Sequence, residues 1–187
     1  IDKAIFMGHS MGCQVILEFD RMFPDRVAAL VPMLGTYARP IHTFFDQPII
    51  SLIGFRYLHK AVMRFHESMR PGSERLFCSP YLSPVVAKIA RLSGVIDSRL
   101  MPQELLLDYL HHMGKLDQRV FVKMVEKMAF HTVEEHLPNI KVPVLVVAAT
   151  RDYFTPLWLS EEMADRIPGG ELLIIPEGSH AAQVEQP

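Results

Sequence analysis

The sequence has few cysteines, no surplus of basic residues and no long apolar run. Cysteine occurs at two of the 187 positions, Cys13 and Cys78, which is too few for a disulfide-based scaffold. Lysine and arginine total 19 against 21 aspartates and glutamates, so we expect no nucleic-acid-binding surface. The longest apolar stretch, residues 49–58, is interrupted by Arg56 and is too short to span a bilayer. The composition therefore predicts a globular domain that binds no nucleic acid and does not span a membrane.

The two ends of the sequence bear on what kind of chain this is. No targeting signal is visible, so a cytoplasmic location is the expectation. The chain starts at Ile1, directly before an apolar run, and stops at Pro187, where a helical pattern is opening. We therefore expect the sequence to be part of a longer chain. Its oligomeric state is left open.

Short apolar runs alternate with helical patterns near both ends of the chain. Four apolar runs predict buried strands, at 4–7, 27–31, 142–149 and 171–176. Helical patterns lie between them, at 11–22 and 156–167, and a last helix opens at Ala181. This alternation is typical of the α/β class, in which helices cover a parallel sheet.

The middle of the chain lacks strand patterns and is divided by prolines. Helices are predicted there at 49–65, 84–92, 103–113, 117–129 and 131–137. The simplest description is a discontinuous core, formed by residues 1–35 and 138–187. A helical insertion over residues 36–137 interrupts it.

The pentapeptide Gly8-His9-Ser10-Met11-Gly12 stands between the first predicted strand and the first predicted helix. It is a G-x-S-x-G motif in the strand–turn–helix setting that exposes a serine as a nucleophile. We expect Ser10 to have a strained backbone conformation, and Gly8 and Gly12 to avoid collisions with neighbouring elements. For His9, both packing and support of the chemistry are open.

Two further polar residues, Asp152 and His180, each follow a predicted strand. Because the carboxyl ends of parallel strands share one edge of a sheet, Ser10, Asp152 and His180 are expected to meet there. A serine hydroxyl needs a base to take its proton, and a histidine can do so near neutral pH. A carboxylate then orients the imidazole and stabilises its charge. The pattern predicts a Ser–His–Asp catalytic triad.

Three stretches together resemble the α/β-hydrolase fold superfamily: residues 8–12, residues 142–156 and Gly178-Ser179-His180. The resemblance implies a partial α/β-hydrolase fold, a parallel sheet flanked by helices with an inserted helical cap, or lid, at 36–137. It implies that Ser10 is the nucleophile, Asp152 the acid and His180 the base. It further implies that the backbone N–H of Met11 forms one half of the oxyanion hole.

The resemblance also implies several strands and a second oxyanion donor ahead of the serine turn, and these 187 residues do not contain them. Removal of one such donor typically lowers the rate about 10²–10³-fold. The first predicted strand would also become an unpaired sheet edge. We therefore expect the isolated chain to be poorly soluble or inactive.

The resulting functional hypothesis is a serine hydrolase that cleaves a small-to-medium hydrophobic carboxylic ester through an acyl-enzyme, without a cofactor. An apolar pocket formed by methionines and phenylalanines of the cap would suit such a substrate. Three alternatives stay open: a C–C bond hydrolase, a cofactor-free haloperoxidase or perhydrolase with the same triad, and a non-catalytic ligand-binding protein.

The remaining histidines and cysteines predict little chemistry. His131 and His136 invite a metal interpretation, but their spacing does not place both imidazoles on one helical face. We predict no metal site, and a solvated amphipathic helix over 131–137. The adjacent His111 and His112 point in different directions, and Cys13 is expected to be packed rather than reactive.

Overall fold

The structure is a computed structural model of the 187-residue chain. It describes residues 2–43, 74–92, 96–97 and 99–187, together with isolated positions between 53 and 72. The helix predicted at 49–65, and with it most of the phenylalanines expected in the cap, falls almost wholly outside the described residues.

Four parallel strands form one sheet in the described part of the chain, in the order β1-β2-β3-β4. Their bounds are Ala4–His9, Val27–Met33, Leu145–Ala149 and Glu171–Ile175. Strand β1 pairs with β2 along its length, and β3 with β4 likewise, whereas β2 meets β3 over a short stretch around Met33 and Val147. All four carboxyl ends lie at one edge, so the predicted parallel α/β sheet is confirmed.

Seven helices have their bounds within the described residues, and residues 74–78 are helical as well. The seven are α1 (Met11–Met22), α2 (Pro40–Thr43), α3 (Ser83–Leu92), α4 (Gln103–Lys115), α5 (Gln118–Phe130), α6 (Leu157–Arg166) and α7 (Ala182–Glu185). Short 3₁₀ helices span Pro24–Arg26 and Glu134–Asn139. Helix α1 ends where Phe23 donates its N–H to the Phe19 carbonyl and Pro24 follows. Helix α5 begins after Asp117, whose carboxylate accepts the N–H groups of Arg119 and Val120.

Two details of the predicted helices are wrong. The segment predicted as a helix over 131–137 is a 3₁₀ helix at Glu134–Asn139, and Pro138 lies inside it instead of ending it. Pro138 cannot donate to the Glu135 carbonyl, and the side-chain amide of Asn139 donates to that carbonyl at 3.0 Å instead. In α6, the helical pattern at 156–167 predicts that Trp158, Leu159 and Met163 all face inward. Leu159 and Met163 are buried, but Trp158 is 42% exposed.

The main apolar core lies between the sheet and the helices α1 and α6. Its fully buried members include Leu17, Leu30 and Leu159, and burial of one such side chain contributes roughly 1.5–3 kcal/mol. Tyr37 and Leu137 also belong to this core, although both lie inside the predicted insertion. The division of the chain into core and cap therefore stays a prediction.

A second apolar cluster joins the described helices between β2 and β3 to the end of the chain. Its buried members are Ala87, Met101, Leu106 and Leu110. Ala181 and Val184, in and beside α7, pack against it. This contact brings the α3–α4 region next to the segment that carries His180.

Helix α1 is also tied to the 3₁₀ segment by a largely buried hydrogen-bonding contact between two side chains. His136 Nε2 lies 2.8 Å from Asp20 Oδ2, and the His136 side chain is 14% exposed. The prediction of a solvated helix is thus wrong at His136. In the described part of the chain, no helix is long and apolar enough to cross a membrane.

Candidate active site

Ser10 occupies a tight turn between β1 and α1. Its backbone has φ 56° and ψ −117°, a conformation that residues with a side chain rarely adopt. The Ser10 N–H donates to the Met33 carbonyl at 3.0 Å, and the Ser10 carbonyl accepts the Cys13 N–H at 3.0 Å. These bonds hold the turn, so the expected strained conformation at Ser10 is present.

The glycines around this turn have different roles. A side chain at Gly8 would overlap the backbone of Gly12, and one at Gly35 would overlap Cys13 and the Ser10 carbonyl. Gly35 was not predicted, although it directly follows the strand β2 and Leu34. By contrast, no described atom lies within 4 Å of the position a Cβ would take at Gly12. The expected collision at Gly12 is therefore wrong, because that Cβ would point into open space.

Ser10, Asp152 and His180 meet at the carboxyl edge of the sheet. His180 Nε2 lies 3.0 Å from Ser10 Oγ, and His180 Nδ1 lies 2.8 Å from Asp152 Oδ2. With its proton on Nδ1, donated to the carboxylate, the imidazole can accept the serine proton at Nε2. The three side chains named from the sequence thus form a continuous hydrogen-bonded chain.

The Asp152 carboxylate is buried and held by the residues that follow it. Its Oδ1 accepts the N–H groups of Phe154 and Thr155, each at 2.9 Å. Its Oδ2 accepts the Thr155 hydroxyl at 2.6 Å. These three donors fix the orientation of the carboxylate towards His180. Thr155 was not predicted, although its place three residues after an aspartate is typical of a side-chain turn.

His9 supports His180 through the backbone. His9 Nε2 lies 2.9 Å from the His180 carbonyl oxygen, and because a carbonyl only accepts, this nitrogen carries the proton. Burial lowers the pKa of His9 below its ordinary value, which favours the neutral ring. The rings of His9 and Phe154 lie 5.1 and 4.9 Å from the His180 ring, centroid to centroid.

Met11 is the first residue of α1, so its N–H has no acceptor within that helix. The helix N-terminus also favours negative charge next to Ser10. Directly beneath, the Cys13 thiol is fully buried and donates to the Gly8 and Met33 carbonyls at 3.2 and 3.3 Å. Burial raises the pKa of this thiol to about 12, so the expectation of a packed, unreactive Cys13 is confirmed.

An apolar groove of about 630 Å³ begins at Met11 and follows α1. Helix α1 contributes Val15 and Phe19 to it, and the facing helix α5 contributes Met124 and Met128. Ser10, Asp152 and His180 are not among the residues that line this groove, so the apolar pocket expected over Ser10 stays a prediction. The described residues contain no group of three or more His, Cys, Asp or Glu side chains able to hold a metal ion.

A parallel sheet with a serine turn after one strand and an Asp–His pair after two others is the arrangement seen in hydrolases of the α/β class. The model of the Alpha/beta hydrolase family matches residues 1–187. The chain belongs to this family, and the resemblance identified from the sequence is confirmed.

Individual relatives agree with this assignment. A protein of Stutzerimonas stutzeri (strain A1501) named "Putative carbamate hydrolase RutD" is 32% identical over 185 residues, which are 98% of this chain and 62% of that protein. A 2-hydroxy-6-oxononadienedioate/2-hydroxy-6-oxononatrienedioate hydrolase of Burkholderia vietnamiensis (strain G4 / LMG 22486) is 25% identical, covering 99% and 58% of the two chains. The chain thus spans about three fifths of the length of these relatives.

The fold also matches solved structures. A hydrolase from Pseudomonas aeruginosa PA01 aligns with a TM-score of 0.68 and 20% identity, covering 100% of this chain and 61% of that chain. At this identity the match shows the shared fold alone.

Proposed function

We propose that the protein is a serine hydrolase in which Ser10, His180 and Asp152 act as a catalytic triad. The observation that carries the proposal is the hydrogen-bonded chain from Ser10 Oγ through the His180 ring to Asp152 Oδ2, with contacts of 3.0 and 2.8 Å. The strained turn that presents Ser10 supports it. Membership of the hydrolase family supports the same reaction class.

The geometry suits a two-stage acyl transfer. His180 Nε2 takes the hydroxyl proton as Ser10 Oγ bonds to the substrate carbonyl carbon, and Met11 N–H donates to the resulting oxyanion. The tetrahedral intermediate then expels the leaving group, which receives the proton from His180. In the second stage, His180 takes a proton from water as the water oxygen attacks the acyl carbon. The second tetrahedral intermediate then expels Ser10 Oγ, which receives that proton from His180 and frees the acid product. Asp152 stays ionised and holds the imidazole throughout.

The substrate that we propose is a small-to-medium hydrophobic carboxylic ester. We place its acyl or alcohol part in the apolar groove along α1, which Met11 lines next to Ser10, although the triad side chains themselves do not line it. We further propose that the helices within 36–137 form a cap over the site. A carbamate is a second candidate substrate, because one relative is named as a putative carbamate hydrolase. A carbamate also has a carbonyl carbon that Ser10 Oγ can attack.

The test is covalent labelling of the full-length protein with a fluorophosphonate. We expect one label per molecule on Ser10, no label in Ser10→Ala, and unchanged labelling in the control Ser83→Ala on α3. Hydrolysis of p-nitrophenyl esters should fall about 10⁴-fold or more in Ser10→Ala. Parallel assays with phenyl carbamates distinguish the two substrates. An unlabelled wild-type protein, or label retained by Ser10→Ala, would contradict the proposal.

A further inference from the structure

The turn that carries His180 is held from behind by a buried carboxylate. Glu185, the last residue of α7, is 7% exposed. Its Oε2 accepts the Ser179 N–H at 3.1 Å, and its Oε1 accepts the Ser179 hydroxyl at 2.6 Å. Two bonds from one carboxylate therefore fix the residue that directly precedes His180.

The same carboxylate also reaches the helical region between β2 and β3. Glu185 Oε1 accepts the Asp97 N–H at 2.7 Å, from a residue 88 positions away. Ala181 and Val184 pack against the apolar cluster of that region, which contains Ala87 and Leu106. The His180 segment is thus docked on the helical region by both a polar and an apolar contact.

An outer layer of charges surrounds this contact. Arg151 pairs with Glu177, and its guanidinium also lies 4.0 Å from Asp97. Arg99 pairs with Asp97 at 2.7 Å and holds the pKa of that carboxyl well below its ordinary range. The side chains that border the Asp152 and His180 turns are therefore joined to the helical region.

The Asp152 turn and the His180 turn are also tied to each other. Arg151 N–H donates to the Gly178 carbonyl at 2.9 Å, and Glu177 N–H donates to the Thr150 hydroxyl at 2.8 Å. These two bonds attach the His180 turn to the Asp152 turn at the end of the sheet. The bonds to Glu185 attach the His180 turn to the helical region.

A buried carboxylate is costly unless donors satisfy it, and here two amides and a hydroxyl do so. These three bonds depend on the helical region and the His180 turn being in place together. If Asp97 moved away, the carboxylate would lose a donor and the Ser179 contacts would loosen.

We propose that Glu185 is a positioning residue, which aligns His180 between Ser10 and Asp152 by clamping the Ser179 turn to the Asp97 backbone of the helical region. The proposal rests on the catalytic function proposed above. Glu185 touches none of the reacting atoms in the triad and acts through the placement of His180. The position of His180 relative to Ser10 and Asp152 therefore depends on the helical region being docked.

The experiment compares Glu185→Gln with the exposed control Glu161→Gln on α6, both in the full-length protein. In Glu185→Gln, the side-chain N–H₂ faces one of the donors whose hydrogen bond the wild-type carboxylate accepts, so that hydrogen bond is lost. We expect the rate constant for fluorophosphonate labelling, and kcat for a p-nitrophenyl ester, to fall about 10–100-fold, because small displacements of a catalytic group have effects of this size. KM should change less than about threefold.

A second variant guards against failure to fold. Ser179→Ala removes the hydroxyl donor but keeps both amide bonds, and it should lower kcat about three- to tenfold with KM unchanged. Thermal unfolding of each variant, and amide hydrogen exchange at Asp97 and Ser179, are measured alongside. Both amides should exchange faster together in Glu185→Gln.

The outcomes separate the two proposals. Folded Glu185→Gln that is labelled at the wild-type rate would overturn the positioning role and leave the hydrolase proposal intact. A rise in KM with kcat unchanged would also overturn it, because that pattern indicates a role in substrate binding. If the wild-type protein itself is not labelled, the proposed function fails, and the positioning role fails with it.

Discussion

The described part of the molecule contains two aspartate–histidine pairs with the same contact distance and different surroundings. Asp152 Oδ2 lies 2.8 Å from His180 Nδ1, and Asp20 Oδ2 lies 2.8 Å from His136 Nε2. Both aspartates are buried, and both histidine side chains are 14% exposed. Distance and burial therefore do not distinguish the two pairs.

What distinguishes them is the third group and the backbone that carries it. His180 reaches Ser10 Oγ at 3.0 Å across the carboxyl edge of the sheet. In the described part of the chain, the Asp20–His136 pair has no comparable hydroxyl or thiol partner, and it joins α1 to the 3₁₀ helix at Glu134–Asn139. Of these two pairs, the one at the strand ends has a serine hydroxyl within hydrogen-bond distance of its histidine.

The largest expected effect comes from changing Asp152 to asparagine, with the same change at Asp20 as the comparison. Asp152→Asn should lower kcat for a p-nitrophenyl ester about 10⁴-fold, because the amide no longer holds the imidazole in the tautomer that accepts the serine proton. Asp20→Asn should leave kcat within about threefold of the wild type. A comparable loss in both variants, with both proteins folded, would show that the two pairs do not differ in the way the geometry indicates.

The next effect concerns stability at the second pair. His136→Phe leaves the Asp20 carboxylate buried without its partner, which should lower the free energy of unfolding by about 1–3 kcal/mol. Urea unfolding measures this, with His112→Phe at an exposed position of α4 as the control. Activity per folded molecule should not change. A large loss of kcat in folded His136→Phe would assign that pair a part in the reaction.

The smallest effect concerns the hydroxyl that supports the first pair. Thr155→Val removes the 2.6 Å bond to Asp152 Oδ2 but keeps the two backbone donors to Oδ1. We expect kcat to fall by no more than about tenfold, because a hydrogen bond to a carboxylate contributes about 1.5–3 kcal/mol and the two remaining backbone donors keep the carboxylate oriented. Thr43→Val, a buried threonine of α2, is the matched control. If Thr155→Val is as slow as Asp152→Asn, the backbone donors do not hold the carboxylate as described.

The sequence predicted the first pair because its residues follow strands. In a parallel sheet the residues after different strands converge, so Ser10, Asp152 and His180 could be brought together without knowing any distance. Asp20 and His136 lie in a helix and a 3₁₀ segment, 116 positions apart, and no rule of spacing relates them. The sequence alone gives His136 no partner, and it therefore predicts a solvated helix over 131–137.

The supports of the site were hidden for a similar reason. Gly35 is required because Cys13 and the Ser10 carbonyl lie against it, and Glu185 is satisfied by a backbone N–H from Asp97. Both depend on contacts between segments that are distant in sequence. The motif around Ser10 instead suggested a steric role for Gly12, which the geometry does not support. Local patterns located the reacting groups, and tertiary contacts determined what holds them.

The two cysteines occupy positions that respond to different motions of the chain. Cys13 lies fully buried beneath the serine turn, between Gly8 and Met33, whereas Cys78 is partly exposed and donates to the His111 carbonyl of α4. An alkylating reagent can reach the first thiol only when the sheet and α1 separate, but the second needs only a local opening beside α4. The alkylation rate of Cys13 therefore reports on the opening of the sheet core, and the alkylation rate of Cys78 reports on the opening of the helical region.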